Sequence, residues 1–179
     1  MRIWAFFLWT CLFATFGNAQ EKPNIILIYV DDLGYGDIGV NGAVGVKTPH
    51  IDSLAINGIN FTDAHSPAST CTPSRYSLLT GQYAFKRQAQ ILPGDAPLLI
   101  DTSAVTLPKV LKKANYRTGV VGKWHLGLGN GSINWNERVS PGPAEVGFDY
   151  SFLIPSTGDR VPCVYLENQQ VVGLEESDP

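Results

Sequence analysis

Three short stretches of this 179-residue chain gather side chains able to do chemistry. Asp31 and Asp32 stand side by side after an apolar run. Cys71 lies in "CTPSR", one helical turn ahead of Arg75. Lys123 and His125 flank Trp124 in "GKWHLG". Adjacent carboxylates repel unless a cation or a donor compensates them. The Asp pair therefore reads either as part of an oxygen site for a hard divalent ion, or as a solvated turn with one Asp capping backbone N–H groups. Alone it is too small for Ca²⁺, which takes about six to eight oxygens.

Cys71 admits five readings: a packing residue, half of a disulfide, a metal ligand, a nucleophile, or the precursor of a modified residue. Pro73 puts it at the start of a helix, where the N-terminus favours anions and lowers a thiol pKa. Arg75 can then bind a tetrahedral anion or a modified Cys71 side chain. The plain alternative is a small buried hydrophobe beside a structural arginine. In an extended segment, positions i and i+2 share a side. Lys123 and His125 then face one pocket while Trp124 packs the other way. The plain alternative here is a surface lysine and a core-edge histidine. His50 and His65 carry less signal and read as structural.

The elements that must position these groups can be read from pattern. "NIILIYV", residues 24–30, is a continuous apolar run of the kind buried on both faces of a parallel sheet. "DDLGYGDIG" must follow as a loop. Thr48 and Pro49 open a helix with Ile51, Leu54 and Ala55 on one face, ended by Gly58. "INFTDA", residues 59–64, alternates as a second strand. "PSRYSLLTG" is a short helix with Pro73 near its start and Gly81 past its end. Thr106 can cap a third helix carrying Leu107, Val110, Leu111 and Ala114 on one face, and "YRTGVVG" is the next strand. The tail reads as loops and short strands, with a hairpin from "VYLEN" to "VVG". Alternating strands and helices predict an α/β fold: a mostly parallel sheet flanked by helices. Such sheets bind ligands beyond the carboxyl ends of their strands. Asp31 and Asp32, Cys71, and Lys123 with His125 each follow a predicted strand.

Composition narrows the class. At 44% hydrophobic and 16% charged, the chain is globular rather than disordered. Its net charge of −3, with no Lys/Arg run longer than two, argues against nucleic acid as a partner. Residues 1–19 read as a signal peptide: Arg2, an apolar run, then small residues at Gly17 and Ala19. The run is too short for a stable membrane span, which needs about 20 residues. The protein is therefore expected to be secreted or periplasmic. Cleavage removes Cys11 and leaves Cys71 and Cys163, which could pair in an oxidising compartment. No CxxC or paired Cys/His spacing favours structural zinc.

"CTPSRYSLLTG" resembles the signature of the type I, formylglycine-dependent sulfatases. "IILIYVDDLGYGDIG" resembles that family's first strand and metal loop, "TPHIDSLAINGINFTDAHS" its first helix and second strand, and "GKWHLG" its Lys/His motif. The four fall in order across residues 23–127. The resemblance implies the alkaline-phosphatase-like fold and an arylsulfatase-like sulfuric ester hydrolase, acting on aryl sulfates or sulfated carbohydrates. It implies that a formylglycine-generating enzyme oxidises Cys71 to formylglycine. It implies one Ca²⁺ ion held by Asp31, Asp32 and the modified Cys71 side chain. Arg75 then holds the formylglycine, Lys123 contacts sulfate oxygens, and His125 bonds the hydrated aldehyde. The family also places a second histidine, an Asp-Asn or Asp-Gln pair and a second lysine later in its chains. None follows His125 here in matching form, so residues 23–179 read as the N-terminal part of a longer catalytic domain, inactive by itself. Two other readings stand beside this one: a related phosphoesterase or phosphonate hydrolase, and a non-catalytic secreted glycan-binding relative.

Overall fold

The computed structural model describes residues 22–161 and 163–175. The predicted signal peptide lies outside the described residues. The chain divides into two units, Met1–Lys47 and Thr48–Pro179.

In the first unit the predicted strand at 24–30 does not form. The segment is extended but pairs in no ladder, and Ile26 and Ile28 are 84% and 73% exposed. A strand of a parallel sheet exists only within a hydrogen-bonded ladder, and among the described residues the one sheet, β1 to β4, does not include this segment. The loop after it folds as expected of its glycines and aspartates. Two 3-10 turns, Tyr35–Asp37 and Gly39–Asn41, follow each other. The Gly34 N–H donates to Asp37 Oδ2 at 2.7 Å, and Asn41 Nδ2 donates to the Tyr35 carbonyl at 2.9 Å.

The second unit opens with α1, Pro49–Asn57, started by Pro49 and ended at Gly58 as predicted. Its apolar face is not covered: α1 buries no residue, and Leu54 is 68% exposed. Thr48 makes no capping bond with its side chain. Its hydroxyl donates instead to Asp52 Oδ1 at 3.0 Å. The second predicted strand, at 59–64, is also absent, with Ile59 and Phe61 exposed. The cause is the same lack of a ladder partner.

α2, Cys71–Thr80, begins at the cysteine itself. Gly81 closes it in the left-handed conformation, φ 66°, with its N–H on the Ser77 carbonyl at 2.9 Å. α3, Leu107–Lys113, follows Thr106. The Thr106 hydroxyl does not cap α3 but reaches the Val146 carbonyl at 2.5 Å. Of the predicted apolar face of α3, Leu107 and Val110 remain exposed, and Pro108 is its buried residue.

The sheet is mixed, with strand order β1-β2-β3-β4. β1, Gly119–Lys123, pairs parallel with β2, Tyr150–Ile154, in the register Gly119 to Tyr150 and Lys123 to Ile154. The short helix α4, Pro143–Val146, lies between them in sequence. β3, Leu166–Glu167, and β4, Gln170–Val171, form the predicted antiparallel hairpin, and β3 joins β2. The core sits around the chain leaving β1. Trp124, Leu126 and Leu128 are buried with Ile100, Val146, Leu153, Leu166 and Tyr76. The Trp124 indole N–H donates to the Gly127 carbonyl at 2.7 Å, and its ring meets Phe148 edge-on at 6.4 Å. That places the buried indole's one polar atom on an acceptor. No helix of the described residues is long and apolar enough to cross a membrane.

Candidate active site

Within the second unit, α2 and the chain leaving β1 are tied together by side chains. Cys71, half-buried at the first position of α2, is followed by Thr72, which is fully buried. The Thr72 hydroxyl donates to the His125 carbonyl at 2.9 Å and accepts from the Leu92 N–H at 3.3 Å. One turn on, Arg75 Nη1 donates to the Lys123 carbonyl at 2.8 Å. The helix that carries the thiol thus grips the backbone of both residues of the Lys/His motif. Cys71, Arg75, Lys123 and His125 are brought to one place by these bonds. Asp31 and Asp32 belong to the first unit, where Asp32 takes a positive φ of 55°.

Cys71 and Cys163 are both free thiols, so the disulfide left open by the sequence is not formed. Cys163 is exposed and its Sγ meets the Gly158 carbonyl at 3.4 Å.

The alternation assigned to Lys123 and His125 does not hold. β1 ends at Lys123, and His125 lies in the left-handed region at φ 49°. Trp124 and His125 are both buried, at 2% and 1% exposure, while Lys123 is half-buried. A non-glycine residue held there costs energy and persists only where its surroundings fix it. Here they do: the Trp124 N–H donates to the Ile154 carbonyl at 3.0 Å, and the His125 N–H to the Pro155 carbonyl at 2.9 Å.

The imidazole is held as firmly. His125 Nε2 lies 2.9 Å from the Leu92 carbonyl oxygen, and Nδ1 is buried without a hydrogen-bond partner among the described residues. Burial pushes the His125 pKa below its ordinary value, because the charged form is the harder to bury. The Leu92 bond opposes that shift, while the cations Lys123, Arg160 and Arg75 add to it.

Arg160 was not singled out from sequence. It sits on the loop after β2, and its Nη1 donates to the same Leu92 carbonyl at 2.5 Å. Ser156, on that loop, buries a hydroxyl oxygen with no partner among the described residues. The signal that could have found this loop is its place beyond the carboxyl end of a parallel strand. β2 lies in the tail, where the pattern gives loops and short strands but no bounds for this strand. His50 and His65 are both exposed, and His65 Nε2 lies 2.7 Å from Asp63 Oδ1.

Among the described residues no three His, Cys, Asp or Glu side chains gather to hold a metal ion. Asp31 and Asp32 are oxygen donors of the right kind for a hard cation but too few for its shell. A thiol at residue 71 is too soft a ligand to add to them.

The sulfatase family profile matches residues 23–161. The N-acetylgalactosamine-6-O-sulfatase of Bacteroides thetaiotaomicron is 53% identical over 165 residues, which cover 91% of this chain and 32% of that protein. Human arylsulfatase G is 42% identical, covering 78% of this chain and 25% of that protein. A solved structure described under the metabolism of multiple glycosaminoglycans by Bacteroides thetaiotaomicron superposes with a TM-score of 0.85 at 54% identity. It covers 88% of this chain and 33% of that one. The chain spans about a third or less of the length of these relatives.

Proposed function

Because this chain belongs to the sulfatase family, we propose that it supplies the nucleophile's half of a sulfuric ester hydrolase. The substrate class is sulfated carbohydrate, as the name of the N-acetylgalactosamine-6-O-sulfatase indicates for that relative. The observation that carries the reading is the pair of bonds from the cysteine-bearing helix to the Lys/His motif: Thr72 to the His125 carbonyl and Arg75 to the Lys123 carbonyl.

In this reading a formylglycine-generating enzyme oxidises Cys71 after translation, and a signal segment directs the protein out of the cytoplasm. The hydrated aldehyde supplies two geminal hydroxyls, one to take the sulfuryl group and one to expel it. Asp31 and Asp32 are the oxygen donors this reading assigns to Ca²⁺, which would supply Lewis-acid polarisation of the sulfate. The other parts belong to the chain's own side chains. Arg75, one turn below residue 71, neutralises charge that builds there. Lys123 holds the sulfate oxygens. His125, kept neutral by burial, accepts a proton from residue 71.

The test has two parts. Peptide mass spectrometry of the protein from its native host is expected to show residue 71 as formylglycine; thiol alone would count heavily against the enzyme. The full-length protein is expected to turn over an aryl sulfate in preference to an aryl phosphate, and Cys71→Ala to lose about 10³-fold or more of that activity. Preference for the phosphate would move the assignment to a phosphoesterase.

A further inference from the structure

Leu92 accepts two donors at one oxygen. His125 Nε2 approaches its carbonyl at 2.9 Å and Arg160 Nη1 at 2.5 Å. A carbonyl oxygen has two lone pairs and can only accept. Nε2 must therefore carry a proton whenever this bond is made. In a neutral imidazole the other nitrogen is then bare. Nδ1 of His125 is buried in a residue only 1% exposed, and it meets no partner among the described residues. An unmet acceptor in such a place costs stability unless the site uses it.

We infer that Leu92 and Arg160 are positioning residues. The Leu92 main-chain carbonyl, clamped by Arg160, accepts a hydrogen bond from the Nε2–H of His125 and leaves Nδ1 as the nitrogen that works.

Three segments distant in sequence meet at this point. The Leu92 peptide also donates its N–H to Thr72, beside Cys71. The loop of Arg160 also packs on the same segment two residues on, since a Cβ added at Gly94 would sit 2.5 Å from the Val161 carbonyl oxygen and 3.6 Å from Arg160 Cβ. Arg160 thus fixes the height of the carbonyl that fixes the imidazole. The logic is that of any catalytic histidine: the group bonded to one nitrogen decides which tautomer the other presents. Here the orienting group is a peptide carbonyl, which cannot itself take a proton. Which nitrogen is free rests on these hydrogen bonds alone. What Nδ1 then does rests on the sulfatase reading.

The experiment uses the full-length protein labelled with ¹⁵N-histidine. The His125 resonances are assigned by their loss in His125→Gln. At neutral pH His125 is expected as a single Nε2–H tautomer with an unprotonated Nδ1. An Nδ1–H tautomer, or an imidazolium, would overturn the inference. Arg160→Ala is expected to give a mixture of tautomers and to lower kcat about tenfold, with KM for an aryl sulfate unchanged within about twofold. Arg160→Lys is expected to restore most of both. A rise in KM with kcat intact would make Arg160 a substrate contact and sink its positioning role. A locked Nε2–H tautomer in a protein that releases no sulfate supports the positioning and sinks the hydrolase reading.

Discussion

His125 shows how much a single side chain can owe to its backbone. Spacing identified it, because a lysine and a histidine two apart stood out beside a tryptophan. Spacing also misplaced it, because the i, i+2 rule assumes extended backbone, and φ at His125 is 49°. No side-chain pattern announces a left-handed residue, and no pattern announces the Leu92 carbonyl that receives its ring. Both depend on main-chain bonds to Pro155, Thr72 and Leu92. A pH prediction follows from that burial. The folded pKa of His125 lies below its ordinary value of 6.5. Above the unfolded pKa neither state binds the proton, so the contribution of the neutral ring to stability is fully present. As pH falls the unfolded chain protonates first, and that stability is lost progressively down through the lowered folded pKa. Urea midpoints are therefore expected to drop between about pH 7.5 and pH 5.5, and His125→Gln to flatten the drop. An equal drop in that variant would assign the effect to other groups.

At the scale of elements, sequence succeeded where a local residue sets a boundary. Gly81 ends α2 in the left-handed conformation that glycine adopts freely, and the "YRTGVVG" run covers all of β1 but its last residue, Lys123. It failed where an element depends on a distant partner, as at 24–30 and 59–64. β2 is a case of the same dependence met. Its alignment on β1 is held at the starting end by Asp149. Oδ2 accepts from the Thr118 N–H at 2.8 Å and from the Thr118 hydroxyl at 3.1 Å, and Oδ1 pairs with Lys112 Nζ at 2.7 Å. The Lys112 bond first, then those to Thr118, push the Asp149 pKa down to about 2. Because the folded pKa is depressed, this stability is present above the ordinary value of 3.8 and lost as pH falls toward about 2. Asp149→Asn is expected to lower Tm by a few degrees at neutral pH and to remove that acid-side loss. An unchanged Tm would show that the β1–β2 register needs no clamp. Gly127 makes a sharper case. It has φ 76°, and an added Cβ would fall onto the Pro97 carbonyl oxygen and within 2.6 Å of its carbon. Backbone on both sides of that contact cannot step aside as a side chain can. Gly127→Ala is expected to cost about 3 kcal/mol or more, against about 1 for an unobstructed glycine at positive φ. A denaturant midpoint close to wild type would contradict the packing of this turn.

Across the whole molecule, apolar pattern and covered surface disagree. The composition is that of an ordinary globular protein, and the buried core gathers on the chain around β1 and β2. Yet the first unit leaves Ile26 and Ile28 open to solvent, and the second leaves Ile59 and Phe61 at 79% and 73% exposure. Extended apolar backbone outside any ladder is a template for pairing with another chain. Such a stretch normally carries charge or proline to blunt it, and none interrupts residues 24–30. The chain from residue 22 onward is therefore expected to self-associate at micromolar concentration, seen as mass above the monomer by light scattering and as strong binding of an apolar dye. Salt should strengthen the association, because it screens the net charge that keeps copies apart without weakening apolar contact. Ile26→Lys with Ile28→Lys should shift the population toward monomer, since a charge on the open edge opposes pairing. Ile59→Lys tests the other segment separately. A monodisperse monomer before any substitution would mean that these apolar runs find cover within one chain and present no open edge.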